Sequence, residues 1–188
     1  MPRAESSFPG TSEKKGKDRV TSDHMGMLAT LINGLAIREC LCRLGITSSV
    51  MNAFDVGNLC PTFERDRALK AMTKGELLIF TGGTSNPYFS TDSAAALRAA
   101  EIGADILLKA TKVDGIYDAD PIENPNAKKF DTLTHHEVIS RQLRVMDVAA
   151  FAICSECNIP IRIFNYNRPG ELKAVLAGEN RGSLVKKG

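Results

Sequence analysis

Helical and strand-like patterns of apolar residues alternate along the chain, separated by polar segments that contain glycine. From Asp23 to Leu44 the apolar residues recur near the helical repeat. This spacing predicts a long amphipathic helix that is capped by Ser22 or Asp23 and ended by Gly45. In this interpretation Asp23 is only a helix cap, although it could instead contact a ligand.

Further along the chain, apolar strand patterns and helical patterns follow one another in turn. The predicted strands cover residues 46–54, 76–80, 105–110 and 160–164. The predicted helices cover residues 62–72, a segment from 91 onward, 134–142, 147–157 with Asp147 as its cap, and a last helix from Pro169 to Gly178. Strands separated by helices are typical of a parallel sheet, so we expect an α/β protein.

Composition and charge limit the classes of function. A chain of 188 residues with 43% hydrophobic content is long enough for one domain with a buried core. A net charge of +2 argues against nucleic acid or an anionic membrane as the main partner.

Residues 1–18 are polar and are predicted to be a disordered tail. The lysine cluster at 14–17 could contact a phosphate, but we expect it to be solvated. We find no apolar run approaching the ~20 residues of a membrane span and no signal-peptide pattern, so we expect a cytoplasmic protein.

The five cysteines could indicate a metal site or a redox pair, because two pairs lie close together in sequence. Their odd number argues against a disulfide framework, and His135-His136 lacks the usual zinc spacing. We therefore predict no metal site and expect Cys40 and Cys154 to face the core.

Polar loops follow two of the predicted strands. After the strand that ends at Phe80, Gly82 and Gly83 allow a sharp turn that presents backbone N–H groups. Hydroxyl and amide side chains follow, and the next helix begins near Asp92 with its positive end toward the loop. These groups suit a phosphate or a nucleobase; the alternative is a capped loop without a ligand. Because ligands bind at the carboxyl ends of strands in open α/β sheets, the loops after both strands could share one cleft.

The loop after residue 110 carries an aromatic side chain beside acidic ones. Tyr117 offers a stacking face, and Asp120 precedes Pro121 in a turn-prone position. An aromatic ring next to carboxylates suits a purine and its ribose.

Four blocks of sequence together resemble a known family. They are Asp23-His24-Met25-Gly26-Met27-Leu28-Ala29-Thr30, the run from Gly83 to Asp92, the run from Lys109 to Tyr117, and Val145-Met146-Asp147. Their order resembles the bacterial UMP kinase branch of the amino acid kinase family, over about residues 19–185. The resemblance implies a three-layer α/β/α sandwich with a mainly parallel sheet, in a kinase domain covering residues 19–188.

The resemblance also implies an activity and site residues. It implies transfer of the γ-phosphoryl group of ATP to UMP with Mg²⁺, by a homohexamer for which GTP and UTP are possible effectors. Asp92 would stand at the reacting centre and Asp23 would hold the ribose of UMP. The remaining UMP-binding residues would be Thr84, Ser85, Asn86, Pro87, Tyr88, Phe89, Ser90 and Thr91. The ATP-binding residues would be Lys109, Thr111, Asp114, Tyr117 and Asp120.

The chain also departs from the family pattern. The N-terminal strands of the family, with their lysine-containing and Gly-Gly-Gly-Asn loops, are not found in this sequence, and we expect impaired activity and exposed sheet edges. Ser85 and Ser22 stand where the family usually has glycine. Two other hypotheses stay open: a non-catalytic nucleotide-binding subunit that regulates a kinase oligomer, and a related kinase acting on a carboxylate or carbamate.

Overall fold

A computed structural model describes residues 18–119, 121, 123–143 and 146–188. The described α-helices are Arg19–Arg43 (α1), Arg65–Met72 (α2), Thr91–Ile102 (α3), His135–Ser140 (α4), Val148–Glu156 (α5) and Glu171–Leu176 (α6). The described strands are Ser48–Asn52 (β1), Leu77–Thr81 (β2), Leu107–Thr111 (β3), Ile116–Tyr117 (β4), Lys129–Phe130 (β5), Thr132–Thr134 (β6), Ile161–Asn165 (β7) and Ser183–Lys186 (β8). The chain divides into two compact units, of which unit 1 ends at Phe89 and unit 2 begins at Ser90.

Unit 1 is built on a parallel pair of strands. β1 and β2 pair in register from Ser48 opposite Leu77 to Asn52 opposite Thr81. α1 packs against both strands, and its backbone approaches β2 so closely that a Cβ added at Gly34 would lie 2.4 Å from Cγ2 of Thr81. The missing side chain of Gly34 therefore sets the distance between the helix and the end of β2.

α1 differs from the sequence prediction at its start. Asp18 is its N-cap, and the Asp18 side chain accepts a hydrogen bond from the Thr21 N–H at 3.0 Å. The prediction that Ser22 or Asp23 caps this helix is therefore wrong. Apolar periodicity did not reveal the first turn, because its residues are mostly polar.

α1 is also long and apolar enough to cross a membrane by length and composition. The sequence has no continuous apolar run of this length, because charged residues near both ends of α1 interrupt it. One such helix does not establish a membrane span, because core helices of soluble proteins and signal sequences pass the same test. In α1, 17% of the apolar window is buried, and the buried residues of the helix are Met27, Leu31 and Gly34.

Unit 2 contains a four-stranded sheet in the order β3-β7-β8-β6. β3 runs parallel to β7, β6 runs parallel to β8, and β7 and β8 are antiparallel. Beside it, β4 and β5 form a short antiparallel pair. The core of unit 2 is apolar and includes Ala96, Leu107, Ile116, Phe151, Ile161, Ile163 and Val185. The predicted α/β class with a mainly parallel sheet is confirmed.

The cysteines lie in different environments. Cys154 is buried in the core of unit 2, as expected, and burial raises the pKa of its thiol to about 11. Cys40 is exposed, so the prediction that it faces the core is wrong. Among the described residues, no group of three or more His, Cys, Asp or Glu side chains is placed to hold a metal ion.

Candidate active site

The loop that follows β2 begins at a tightly packed glycine. Gly82 has a φ of 79°, and a Cβ added there would lie 2.6 Å from Oδ1 of Asn52. That oxygen already accepts a hydrogen bond from the Thr81 hydroxyl at 2.8 Å. The Gly82 N–H donates to the Thr30 hydroxyl of α1 at 2.8 Å. The start of the loop is thus fixed from β1, β2 and α1 at once.

The next residues form a tight turn. The Ser85 N–H donates to the Gly82 carbonyl at 3.1 Å, and Ser85 has a φ of 64°. That left-handed conformation favours glycine, which explains why the resembled family usually has glycine where this chain has Ser85. The Asn86 side chain donates to the Thr84 carbonyl at 3.1 Å, and the Thr84 hydroxyl accepts from the Asn86 N–H at 3.2 Å. The polar groups of this turn are thus partly engaged with one another.

Asp23 connects α1 to the far end of the same loop. Its carboxylate accepts a hydrogen bond from the Tyr88 N–H at 2.8 Å and pairs with the Arg19 guanidinium at 3.1 Å. The Arg19 guanidinium also lies over the Tyr88 ring, 5.3 Å from its centroid. The Tyr88 N–H and, less strongly, Arg19 lower the pKa of Asp23 despite some desolvation. Asp23 is therefore not a mere helix cap, and the structure brings it to the predicted loop.

The rings at the end of the loop face solvent. Tyr88 is 67% exposed and has a φ of 72°, and Phe89 is 57% exposed. Pro87 between Asn86 and Tyr88 is half-buried. Exposed aromatic faces at a loop end are available for stacking on a flat ligand.

Unit 2 begins with the residues that start α3. Ser90 is the N-cap of this helix, and its hydroxyl accepts a hydrogen bond from the Ser93 N–H at 3.0 Å. Thr91 and Asp92 occupy the first turn, where the helix dipole favours anions. The structure thus places the last predicted UMP-loop residues and the predicted reacting centre at one helix start.

Asp92 forms an ion pair with Lys109 on β3. The two side chains are 26% and 21% exposed, so both are partly withdrawn from water while still accessible. The sequence predicts Lys109 on a strand and Asp92 at the start of a helix, and the structure joins these two elements through a cation and a carboxylate.

The loop after β3 is held by a chain of side chains. The Tyr117 hydroxyl donates to Oδ1 of Asp114 at 2.5 Å, and the Arg168 guanidinium donates to Oδ2 of the same carboxylate at 3.0 Å. The bond from Tyr117 is the main factor that lowers the pKa of Asp114, with a smaller effect of Arg168, and it raises the pKa of Tyr117. Thr111 closes the turn, since its hydroxyl accepts from the Val113 N–H at 2.9 Å. Three of the predicted ATP-side residues are therefore in one structured loop, whereas Asp120 lies outside the described residues.

The end of β7 supports this loop. Because β3 and β7 are parallel neighbours, their carboxyl ends are adjacent. The Asn165 side chain donates to the Lys112 carbonyl at 3.0 Å, and the Tyr166 N–H donates to the Thr111 carbonyl at 3.0 Å.

The sequence analysis did not identify Arg168 and Asn165, whose side chains support the loop after β3. Their signal is polar residues directly after an apolar strand, the same signal that identified the loops after β2 and β3. Asn52 was also missed, because only the pairing of β1 with β2 brings it under Gly82.

A cavity of about 620 Å³ opens beside Asp92 in unit 2. Its walls are mainly apolar side chains of α4, α5 and the segment before α5, with Asp92 and Asp147 as its carboxylates. The cavity thus adjoins the reacting centre predicted from the sequence.

Open α/β proteins commonly bind nucleotides and other phosphate-bearing ligands with polar loops and helix starts that follow parallel strands, as found here. A sequence model of the amino acid kinase family matches residues 3–165. The chain belongs to the amino acid kinase family.

Individual relatives agree with this assignment. The uridylate kinase of Pseudomonas paraeruginosa is 51% identical over 173 residues, which is 92% of this chain and 71% of the relative. That of Xanthomonas oryzae pv. oryzae is 53% identical, covering 91% of this chain and 71% of the relative. The crystal structure of UMP kinase from Bacillus anthracis matches with a TM-score of 0.90 at 33% identity, covering 93% of this chain and 72% of that one. UMP kinase from Ureaplasma parvum matches with a TM-score of 0.86 at 40% identity, covering 90% and 73%.

Proposed function

We propose that this protein is a uridylate kinase that transfers a phosphoryl group from ATP to UMP, giving UDP and ADP. Relatives with that name are about half identical to it over most of its length. This similarity favours an enzyme over a non-catalytic regulatory subunit, and UMP over a carboxylate or carbamate as the acceptor. The product would serve pyrimidine nucleotide synthesis.

The ion pair between Asp92 and Lys109 is the structural observation that carries the proposal. Phosphoryl transfer depends mainly on positioning and on neutralising negative charge. A lysine held by a carboxylate at a helix start offers a fixed cation at a point where the helix dipole also favours anions. Asp92 is the proposed residue of the reacting centre.

The chemistry requires little of the protein beyond this positioning. An oxygen of the UMP phosphate forms a bond to the γ-phosphorus of ATP, and the bond from that phosphorus to the β–γ bridging oxygen breaks. The electron pair leaves with ADP. Because the UMP phosphate is largely ionised at neutral pH, no general base has to remove a proton.

The two nucleotides are assigned to the two loops. For UMP we propose Asp23, Thr84, Ser85, Asn86, Pro87, Tyr88, Phe89, Ser90 and Thr91. For ATP we propose Lys109, Thr111, Asp114, Tyr117 and Asp120. Exposed rings of Tyr88 and Phe89 suit a pyrimidine, and the relay of hydrogen bonds at Tyr117 suits an adenine and its ribose.

Mg²⁺ would enter as part of the substrate MgATP. Mg²⁺ in such sites is bound largely by substrate phosphates with one or two carboxylates. The described residues fit that mode, because Asp92 is a partly exposed carboxylate at the proposed reacting centre.

Assembly and location are also proposals. We propose a homo-oligomer, a hexamer as the family resemblance implies, in the cytoplasm, with GTP and UTP as candidate effectors. Light scattering on the purified chain tests the oligomeric state. The activity assay with and without GTP or UTP tests the effectors.

The decisive experiment is a coupled assay of ADP release with ATP, Mg²⁺ and UMP. The wild-type chain should release ADP only when UMP is present. Asp92→Asn should lower kcat on the order of 10²- to 10³-fold, because it removes the carboxylate that fixes Lys109. Asp66→Asn, on the exposed face of α2, is the matched control and should leave kcat unchanged. Folded protein without UMP-dependent turnover would contradict the proposal.

A further inference from the structure

One carboxylate in unit 2 connects the starts of two helices. Asp147 is the N-cap of α5, and its Oδ1 accepts a hydrogen bond from the Ala150 N–H at 2.8 Å. The same carboxylate accepts hydrogen bonds from the Ser93 hydroxyl at 3.0 and 3.1 Å and from the Ser90 hydroxyl. Ser90 and Ser93 are the N-cap and third residue of α3. A cap requires only the first of these contacts, so the other two need a separate explanation.

The two serines enclose the proposed reacting centre. Thr91 and Asp92 lie between them, in the first turn of α3. Ser93 is only 2% exposed, so its hydroxyl faces protein and not a ligand. A shift of either serine would move the backbone that carries Asp92.

We propose that Asp147 is a positioning residue for the phosphoryl-transfer centre, acting through Ser90 and Ser93 to fix the first turn of α3 that carries Thr91 and Asp92. The inference deepens the proposed kinase function and rests on it. Asp147 itself stays one step away from the reacting atoms.

The chemistry of the contact fits a charged carboxylate. Its two oxygens can accept all three hydrogen bonds, and the N-terminal ends of two helices favour a negative charge between them. Burial raises the pKa of Asp147, but hydrogen bonds from Ser90, Ala150 and Ser93 outweigh that effect, so its pKa lies below the usual value. An asparagine at this position keeps one acceptor and remains a good cap, but it loses the second acceptor and the charge.

The test separates positioning from general stability with three single variants. Asp147→Asn keeps the cap of α5 but weakens the link to α3, and Ser93→Ala removes the link from the other side. The matched control is Thr134→Ala, which removes the N-cap of the neighbouring helix α4, where Thr134 and Glu137 form a capping box. All three should lower the urea midpoint, so stability alone will not distinguish them.

The kinetic parameters distinguish them. Asp147→Asn should lower kcat about 10²-fold, the cost of a small misplacement of reacting groups, while KM for ATP stays unchanged. Ser93→Ala should lower kcat about 10-fold, and the double variant should be no slower than Asp147→Asn because both changes break one link. Thr134→Ala should keep the wild-type kcat. The proposal would be overturned if the reductions in kcat of the two single variants multiplied in the double variant. A kcat within twofold of wild type in both single variants would also overturn it.

A readout that needs no turnover makes the two proposals separable. Amide hydrogen exchange in the first turn of α3 should become faster in Asp147→Asn and Ser93→Ala and stay unchanged in Thr134→Ala. If the wild-type chain shows no UMP-dependent turnover, the kinase proposal fails. Independently of that result, unchanged amide exchange in α3 of Asp147→Asn and Ser93→Ala would overturn the role of Asp147.

Discussion

The loops after β2 and β3 are built in opposite ways. The loop of residues 82–89 takes its shape from its backbone, with left-handed residues at Gly82, Gly83, Ser85 and Tyr88. The loop of residues 111–117 takes its shape from side chains, with Asp114 joining Tyr117 to an arginine of another loop. In the first loop the side chains of Thr84 and Asn86 add hydrogen bonds only to the backbone of the turn, whereas in the second loop the side chains of Asp114, Tyr117 and Arg168 bond to one another.

This difference has a functional consequence for the proposed nucleotides. The first loop leaves two aromatic rings exposed for a ligand, while the second orients its one tyrosine before a ligand arrives. Because the first loop depends on its backbone conformation, we expect substitutions at its left-handed residues to change the free energy of unfolding. Because the second loop depends on side-chain bonds, we expect substitutions there to lower the affinity for ATP.

Gly82→Ala should give the largest effect. The added Cβ would lie 2.6 Å from the buried Asn52 side chain, at a φ of 79°. We expect a loss of about 2 to 4 kcal/mol in the free energy of unfolding, with UMP binding lost as well. Gly75→Ala is the matched control, because Gly75 has a φ of 75° and open space around its Cβ. Urea denaturation measures both, and equal losses would show that backbone strain alone, without the contact to Asn52, determines the effect.

Arg168→Ala should give an intermediate effect that appears only in kinetics. Loss of the guanidinium frees Asp114 and hence Tyr117, so we expect KM for ATP to rise about tenfold, the equivalent of one hydrogen bond to a charged group. Unfolding free energy should change by less than about 0.5 kcal/mol, since the Arg168 side chain is 56% exposed. Arg168→Lys should restore part of the affinity.

The control for this prediction is Arg181→Ala, which removes an exposed arginine that pairs with Glu179 instead of Asp114. A rise in KM for UMP in place of ATP would show that this loop serves the other nucleotide.

Ser85→Gly should give the smallest effect. Glycine removes the left-handed strain at a φ of 64° but increases the entropy of the unfolded chain. We expect stabilisation by about 0.5 kcal/mol in urea denaturation. The ADP assay should show a small rise in KM for UMP, because Ser85 is one of the proposed UMP-binding residues. Destabilisation would indicate that the Ser85 side chain itself stabilises the loop.

The sequence predicts the elements that carry strong local patterns. β2, β3 and α3 follow from an apolar run, a glycine-rich turn and a capped helix start, and the structure has them within a few residues of the expected bounds. The loop and site residues were then assigned from resemblance to a family, and their roles remain predictions.

Elements that depend on distant partners were not predicted. β8 pairs with both β6 and β7, and its sequence alone is too short to show a period. The Arg168–Asp114 bond joins residues that are 54 positions apart, and the start of α1 depends on a polar cap at Asp18. Such features arise from tertiary contacts, which local periodicity does not encode.

The Ser183 hydroxyl accepts a hydrogen bond from the Ile116 N–H at 2.8 Å and donates to the Phe130 carbonyl at 2.5 Å. The start of β8 therefore holds the β4–β5 pair, which contains Tyr117. Ser183 lies 67 positions after Ile116. At typical translation speeds the ribosome needs about 3 to 13 seconds to add those residues. During that interval the growing chain has its β3 loop but not the serine that holds it. We therefore expect a nascent chain to acquire ATP affinity late, after the segment that carries Asp23 has already emerged.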